Sequence, residues 1–70
     1  MSAQKLVRMA NEIARNFRTL PDDQPIVATA NHLKSFWTPS MCTAIIAHAD
    51  AGGEGLDAIA REAVVLLRQY

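Results

Sequence analysis

The chain has 70 residues, half of them apolar, with seven basic and seven acidic side chains and a single cysteine. One small domain is the only architecture this length allows, an intramolecular disulfide is excluded, and a zero net charge leaves no basic excess for phosphate neutralisation. No apolar run approaches the roughly 18 residues that cross a bilayer, and the start "MSAQKLVRMA" lacks an h-region and a cleavage site, so the expected location is the cytoplasm.

Alanine supplies much of the apolar content and β-branched residues come in pairs at most, which favours helix over strand. Three interruptions, "LPDDQP" at 20–25, "TP" at 38–39 and "GGEG" at 52–55, divide the chain into four segments of helical length. The expectation is an all-α single domain of four short helices, over about 3–18, 23–37, 39–51 and 57–69.

In the first helix, Ser2 is placed to cap, and Leu6, Met9, Ala10, Ile13 and Phe17 fall on one stripe. Lys5, Arg8, Arg15 and Arg18 lie roughly opposite, with Glu12 among them at pairing distance from Arg8 or Arg15.

The second helix is expected to start on Asp22 or Asp23 as cap, with Pro25 tolerated in the first turn. Its apolar stripe is Ile26, Ala30, Leu33 and Trp37. Phe36 is offset from Trp37 by about 100°, so the two rings face different directions. Thr38 precedes a proline and must leave the helix. The same Thr38 and Pro39 read as N-cap and first residue of a third helix, with Trp37 and Cys42 in the positions of a hydrophobic staple.

Between Ser35 and Ala49 the charged residues Asp, Glu, Lys and Arg are absent. Met41, Cys42, Ile45, Ile46 and Ala49 form the core stripe of the third helix, and Thr43, Ala44, Ala47 and His48 its back. A solvated helix normally carries charge there, so this back is expected to be covered or to contact something. Gly52 or Gly53 should end that helix in a left-handed turn. Asp57 then caps a fourth helix, whose wide apolar face is Ile59, Ala60, Ala63, Val64, Leu66, Leu67 and Tyr70, with Val65 outside it.

No arrangement in the chain suggests catalysis. His32, His48 and Cys42 lack the ligand spacing of a zinc site. Cys42 stands near a helix start, but His48, six residues on, faces another way, so no base is placed to activate the thiol. "GGEG" matches neither phosphate-binding glycine pattern. The expectation is that this chain holds no catalytic, cofactor-binding or metal-binding residue of its own. What remains is excess apolar surface, and a contiguous apolar patch marks a protein interface.

Four stretches, "KLVRMANEIARNF" at 5–17, "HLKSFWTPSM" at 32–41, "IIAH" at 45–48 and "GGEGLDAIAREAV" at 52–64, carry a family resemblance over nearly the whole chain. The chain resembles the delta subunit of the soluble NAD-dependent formate dehydrogenases, multi-subunit molybdenum or tungsten enzymes. The F-W-x-P-x-M core at 36–41 is the most specific part. Thr38 stands where the family often has an acidic residue, Ser40 and Cys42 lie where it has basic ones, and Ala58 replaces a proline.

The resemblance implies a non-catalytic accessory subunit that docks on the catalytic alpha subunit and supports its assembly, cofactor maturation or stability. It implies that the molybdenum cofactor, iron–sulfur clusters, FMN and NAD lie on other subunits. The contact is expected to centre on Phe36, Trp37, Pro39 and Met41, with Arg8 and Arg15 as rim charges. Self-association of the isolated chain through the same patch is a further expectation. The alternative function is a small nucleic-acid-binding regulator using the basic face of the first helix.

Overall fold

The computed structural model describes residues 2–70 and contains four helices: α1 (Ala3–Phe17), α2 (Gln24–Phe36), α3 (Pro39–Asp50) and α4 (Ala58–Arg68). The four segments expected from the punctuation are all present, each within a residue or two of its expected ends. The described residues form an all-α domain without strands, about 30 × 22 × 17 Å.

Three of the helix starts follow the capping chemistry in the sequence. Ser2 Oγ accepts from Lys5 N at 3.2 Å, Thr38 Oγ1 from Met41 N at 3.3 Å, and Asp57 Oδ1 from Ala60 N at 2.7 Å. All three cap residues are extended, the conformation that points a short side chain back at the first turn.

The start of α2 differs from expectation. Neither Asp22 nor Asp23 caps it with a side chain. Asp23 sits at φ −95° and ψ 6°, so its carbonyl, not its carboxylate, meets the incoming amides of Ile26 and Val27. Asp22 takes a left-handed φ of 58°, which aspartate tolerates better than most residues. The chain enters α2 through a tight turn begun at Pro21, whose carbonyl accepts from Gln24 N at 3.2 Å.

The end of α3 is a Schellman turn. Gly52 N donates to Ala49 O and Gly53 N to His48 O at 2.9 Å, both glycines having positive φ.

The core is built from Leu6, Val7, Ala10 and Ala14 of α1, Leu33 and Trp37 of α2, Ile45 of α3, Leu56, and Ala60, Val64 and Leu67 of α4. Each fully buried Leu, Ile or Val contributes about 1.5–3 kcal/mol relative to exposure. The buried face of α1 is turned roughly 60° from the expected stripe, at 100° per residue. Val7 and Ala14 are inside, while Met9, Ile13 and Phe17 sit half-buried on one flank. The reason is close packing: Ala10 and Ala14 let neighbouring helices approach α1, and α1 touches all three. Helix α2 packs most extensively on α4. Its one fully buried polar side chain, Thr29, donates to Pro25 O at 2.7 Å and so leaves nothing unsatisfied.

The turn after α3 is clamped by three helices. Asn11 of α1 donates from Nδ2 to Gly55 O at 2.9 Å and accepts through Oδ1 from Asp57 N at 3.0 Å. His48 of α3 bonds Glu54 O through Nε2 at 2.7 Å. Arg61 of α4 donates to Gly52 O and Gly53 O, both at 3.1 Å. Leu56, between these contacts, points into the core.

Candidate partner-docking site

The corner between α2 and α3 separates the two large rings. Trp37 is the C-cap of α2, with its N–H on Leu33 O and its ψ at 146°, and it is only 8% exposed. Phe36, the residue before it, is 74% exposed. One ring therefore belongs to the core and the other to the surface. Thr38 is extended before Pro39, as a residue preceding proline must be, and the turn into α3 follows.

Phe36 is not a loose side chain. Its ring stacks at a tilt on His32, centroids 4.7 Å apart, and His32 in turn meets Phe17 of α1 edge-on at 6.4 Å. The three rings make one row across α1 and α2. Such pairs contribute about 0.5–1.5 kcal/mol beyond simple burial. That biases the exposed Phe36 ring towards the orientation stacked on His32. Neither His32 nor Phe17 was among the expected interface residues. The signal lay in the four-residue spacing of His32 and Phe36, which puts them one above the other on a helix.

The other expected interface residues are distributed around this corner. Pro39 is exposed, and Met41 is half-buried against the core. Trp37 and Pro39 line a cleft on the α2, α3 and α4 side, together with Cys42 and Ile46. The staple pair Trp37 and Cys42 thus share a wall, and the Cys42 thiol lies 3.8 Å from Leu33 O. Burial pushes the Cys42 thiol up from its ordinary range, with the Lys34 charge partly opposing. A raised thiol pKa means a smaller thiolate fraction at neutral pH, so the group packs as a small apolar side chain.

Arg8 and Arg15 are exposed on α1, and neither pairs with Glu12; among the described residues the ion pair is Arg68 with Asp50. The back of α3 is only half open. Thr43 and Ala47 face outward, whereas Ala44 packs on the core and His48 holds the Glu54 carbonyl. Among the described residues no three His, Cys, Asp or Glu side chains converge as metal ligands, and no helix is long and apolar enough to cross a membrane.

A family model described as NADH-dependent formate dehydrogenase delta subunit, FdsD, matches residues 5–64. The chain belongs to the FdsD family. The matched span covers all of α2 and α3, the Phe17–His32–Phe36 row, and the clamped turn with its Asn11, His48 and Arg61 partners. No curated protein and no solved structure matches the chain. Membership makes this a delta subunit of a formate dehydrogenase, an accessory chain of a larger oxidoreductase complex.

Proposed function

We propose that this FdsD chain docks on the catalytic alpha subunit of its formate dehydrogenase, with Phe36 as the anchor, and supports that subunit's assembly, cofactor maturation or stability. The observation that carries this reading is Phe36 itself. A ring 74% exposed, stacked on His32, which in turn meets Phe17, is an exposed aromatic surface already supported from its own side. Pre-ordered aromatic side chains are the usual anchors of protein interfaces, because little rotamer freedom remains to be lost. Pro39 and Met41 extend the contact, Arg8 and Arg15 tune association from its rim, and Trp37 acts from beneath by fixing the corner. The chain contributes no catalysis of its own. The molybdenum cofactor, iron–sulfur clusters, FMN and NAD are held by the other subunits, in the cytoplasm.

Co-expression of a tagged chain with the alpha subunit tests this. Phe36→Ala should lower the alpha subunit recovered per tagged chain by about tenfold or more, as for an interface hot spot. The helical circular dichroism of the purified variant should be unchanged. Recovery equal to wild type would remove Phe36 as the anchor. Metal and cofactor content of the alpha subunit, made with and without this chain, separates cofactor insertion from simple support.

A further inference from the structure

A second surface lies on the side of the corner where Trp37, not Phe36, is the boundary. The C-terminal ends of α2 and α4 and the face of α3 that carries Pro39, Cys42 and Ile46 enclose an open cleft of about 320 Å³. Its apolar wall is Trp37, Cys42, Ile46 and Leu67, and its mouth carries Lys34, Arg68 and Tyr70. The volume is at the lower end of the range for small-molecule sites, roughly 300–1,000 Å³. That is room for one or two side chains.

The unpaired charge at the cleft is the Lys34 ammonium. Both charged residues that line the cleft are cations, and no carboxylate lines it. Lys34 makes no ion pair among the described residues, and its ammonium sits 5.8 Å from the centre of the Tyr70 ring. Arg68, the other cation, is already paired with Asp50 on an exposed surface, which leaves Lys34 as the free charge. An apolar hollow with an unpaired ammonium at its edge is complementary to an apolar side chain next to a carboxylate. The cation–ring contact sets Lys34 beside Tyr70, which also lines the cleft.

We propose that this cleft receives a segment of the partner subunit in which one large apolar side chain is followed within a few residues by Asp or Glu. The apolar side chain rests against Trp37 and Leu67, and the carboxylate meets Lys34. This deepens the docking reading and rests on it. Phe36 reaches outward to the partner on one side of the corner, and the partner reaches inward on the other.

The test uses the same co-expression with the alpha subunit, read across a range of salt concentrations. Lys34 is exposed, so its substitution leaves the core alone. Lys34→Glu is expected to lower alpha-subunit recovery about tenfold at low salt, and Lys34→Arg to keep it, while Lys34→Gln loses most of the salt dependence. Recovery with Lys34→Glu equal to wild type at every salt concentration overturns the proposal. If Phe36→Ala releases the partner while Lys34→Glu does not, the cleft assignment fails and docking stands. If even the wild-type chain recovers no alpha subunit, the docking reading fails and the cleft assignment falls with it. Sedimentation of the wild-type chain alone supplies the remaining arm. A dimer that Lys34→Glu dissociates would make a second copy the occupant and overturn the assignment.

Discussion

Asn11 shows how much one side chain can organise. It stands on α1, yet both its hydrogen bonds go to backbone groups of the turn before α4, 44 and 46 residues along the chain. With Asp57 N occupied by Asn11 Oδ1, the Asp57 carboxylate is oriented to cap α4. Removing the amide leaves Gly55 O and Asp57 N to water and loosens the cap behind them. Asn11→Ala should therefore cost about 1–2 kcal/mol, two net hydrogen bonds at about 0.5–1 each, the lower part of the usual range because both are exposed. That would appear as a fall of roughly 5–15 °C in the thermal midpoint of so small a domain. An unchanged midpoint would mean the turn is held by Arg61 and His48 alone. The same turn explains Gly53: at φ 64° its added Cβ would stand 2.8 Å from Arg61 Nη1 and displace the guanidinium that holds the turn. None of these contacts is visible locally in the sequence. "ANEIA" looks like ordinary helix surface, and Arg61 like a solvated charge. Their partners are backbone groups whose position depends on the finished fold.

At the level of helices, the sequence was legible wherever the signal was local. Proline, glycine and cap residues act within four positions, and three of the four starts and the Schellman end of α3 follow from them. The start of α2 was not legible, because Asp22 and Asp23 compete for one role and the turn from Pro21 puts Asp23 at the wrong backbone angles. The buried face of α1 departs from its apolar stripe for a different reason. Side-chain size pointed to Met9, Ile13 and Phe17, but α1 lies against three helices, and the small residues Ala10 and Ala14 decide how close they come. Thr38 is the test of the local signals. It follows the C-cap of α2, satisfies Met41 N and starts α3. Thr38→Ala should cost about 1 kcal/mol and Thr38→Ser much less, measured by denaturant midpoint. Equal loss in both would assign the effect to the threonine methyl, not to the cap.

At the scale of the whole molecule, the division of labour between Phe36 and Trp37 can be tested against total stability. A domain of 70 residues is expected to hold only about 4–10 kcal/mol, at 0.05–0.15 per residue. Trp37 is the largest side chain in the core, and truncating a buried tryptophan costs about 3–5 kcal/mol. Trp37→Ala should thus leave the isolated chain partly or mostly unfolded, by loss of helical circular dichroism at 25 °C. Phe36→Ala, which empties an exposed position, should leave it folded. A bound partner adds stability by mass action, about 2.7 kcal/mol at a hundred times its dissociation constant. Co-expression with the alpha subunit should therefore rescue the level of Trp37→Ala in part, because the cleft keeps Leu67 and Lys34 but loses its Trp37 wall, and should not rescue the binding of Phe36→Ala. The pattern would invert if Trp37 were itself the interface anchor: Trp37→Ala would remain folded alone and fail to bind. The sequence placed both rings at one corner without telling them apart, since adjacent residues on a helix point about 100° apart and either can face the core. What separates them is where the chain turns. Trp37 is already extended at the C-cap, and its ring joins the core, while Phe36 is still helical and is carried round onto His32.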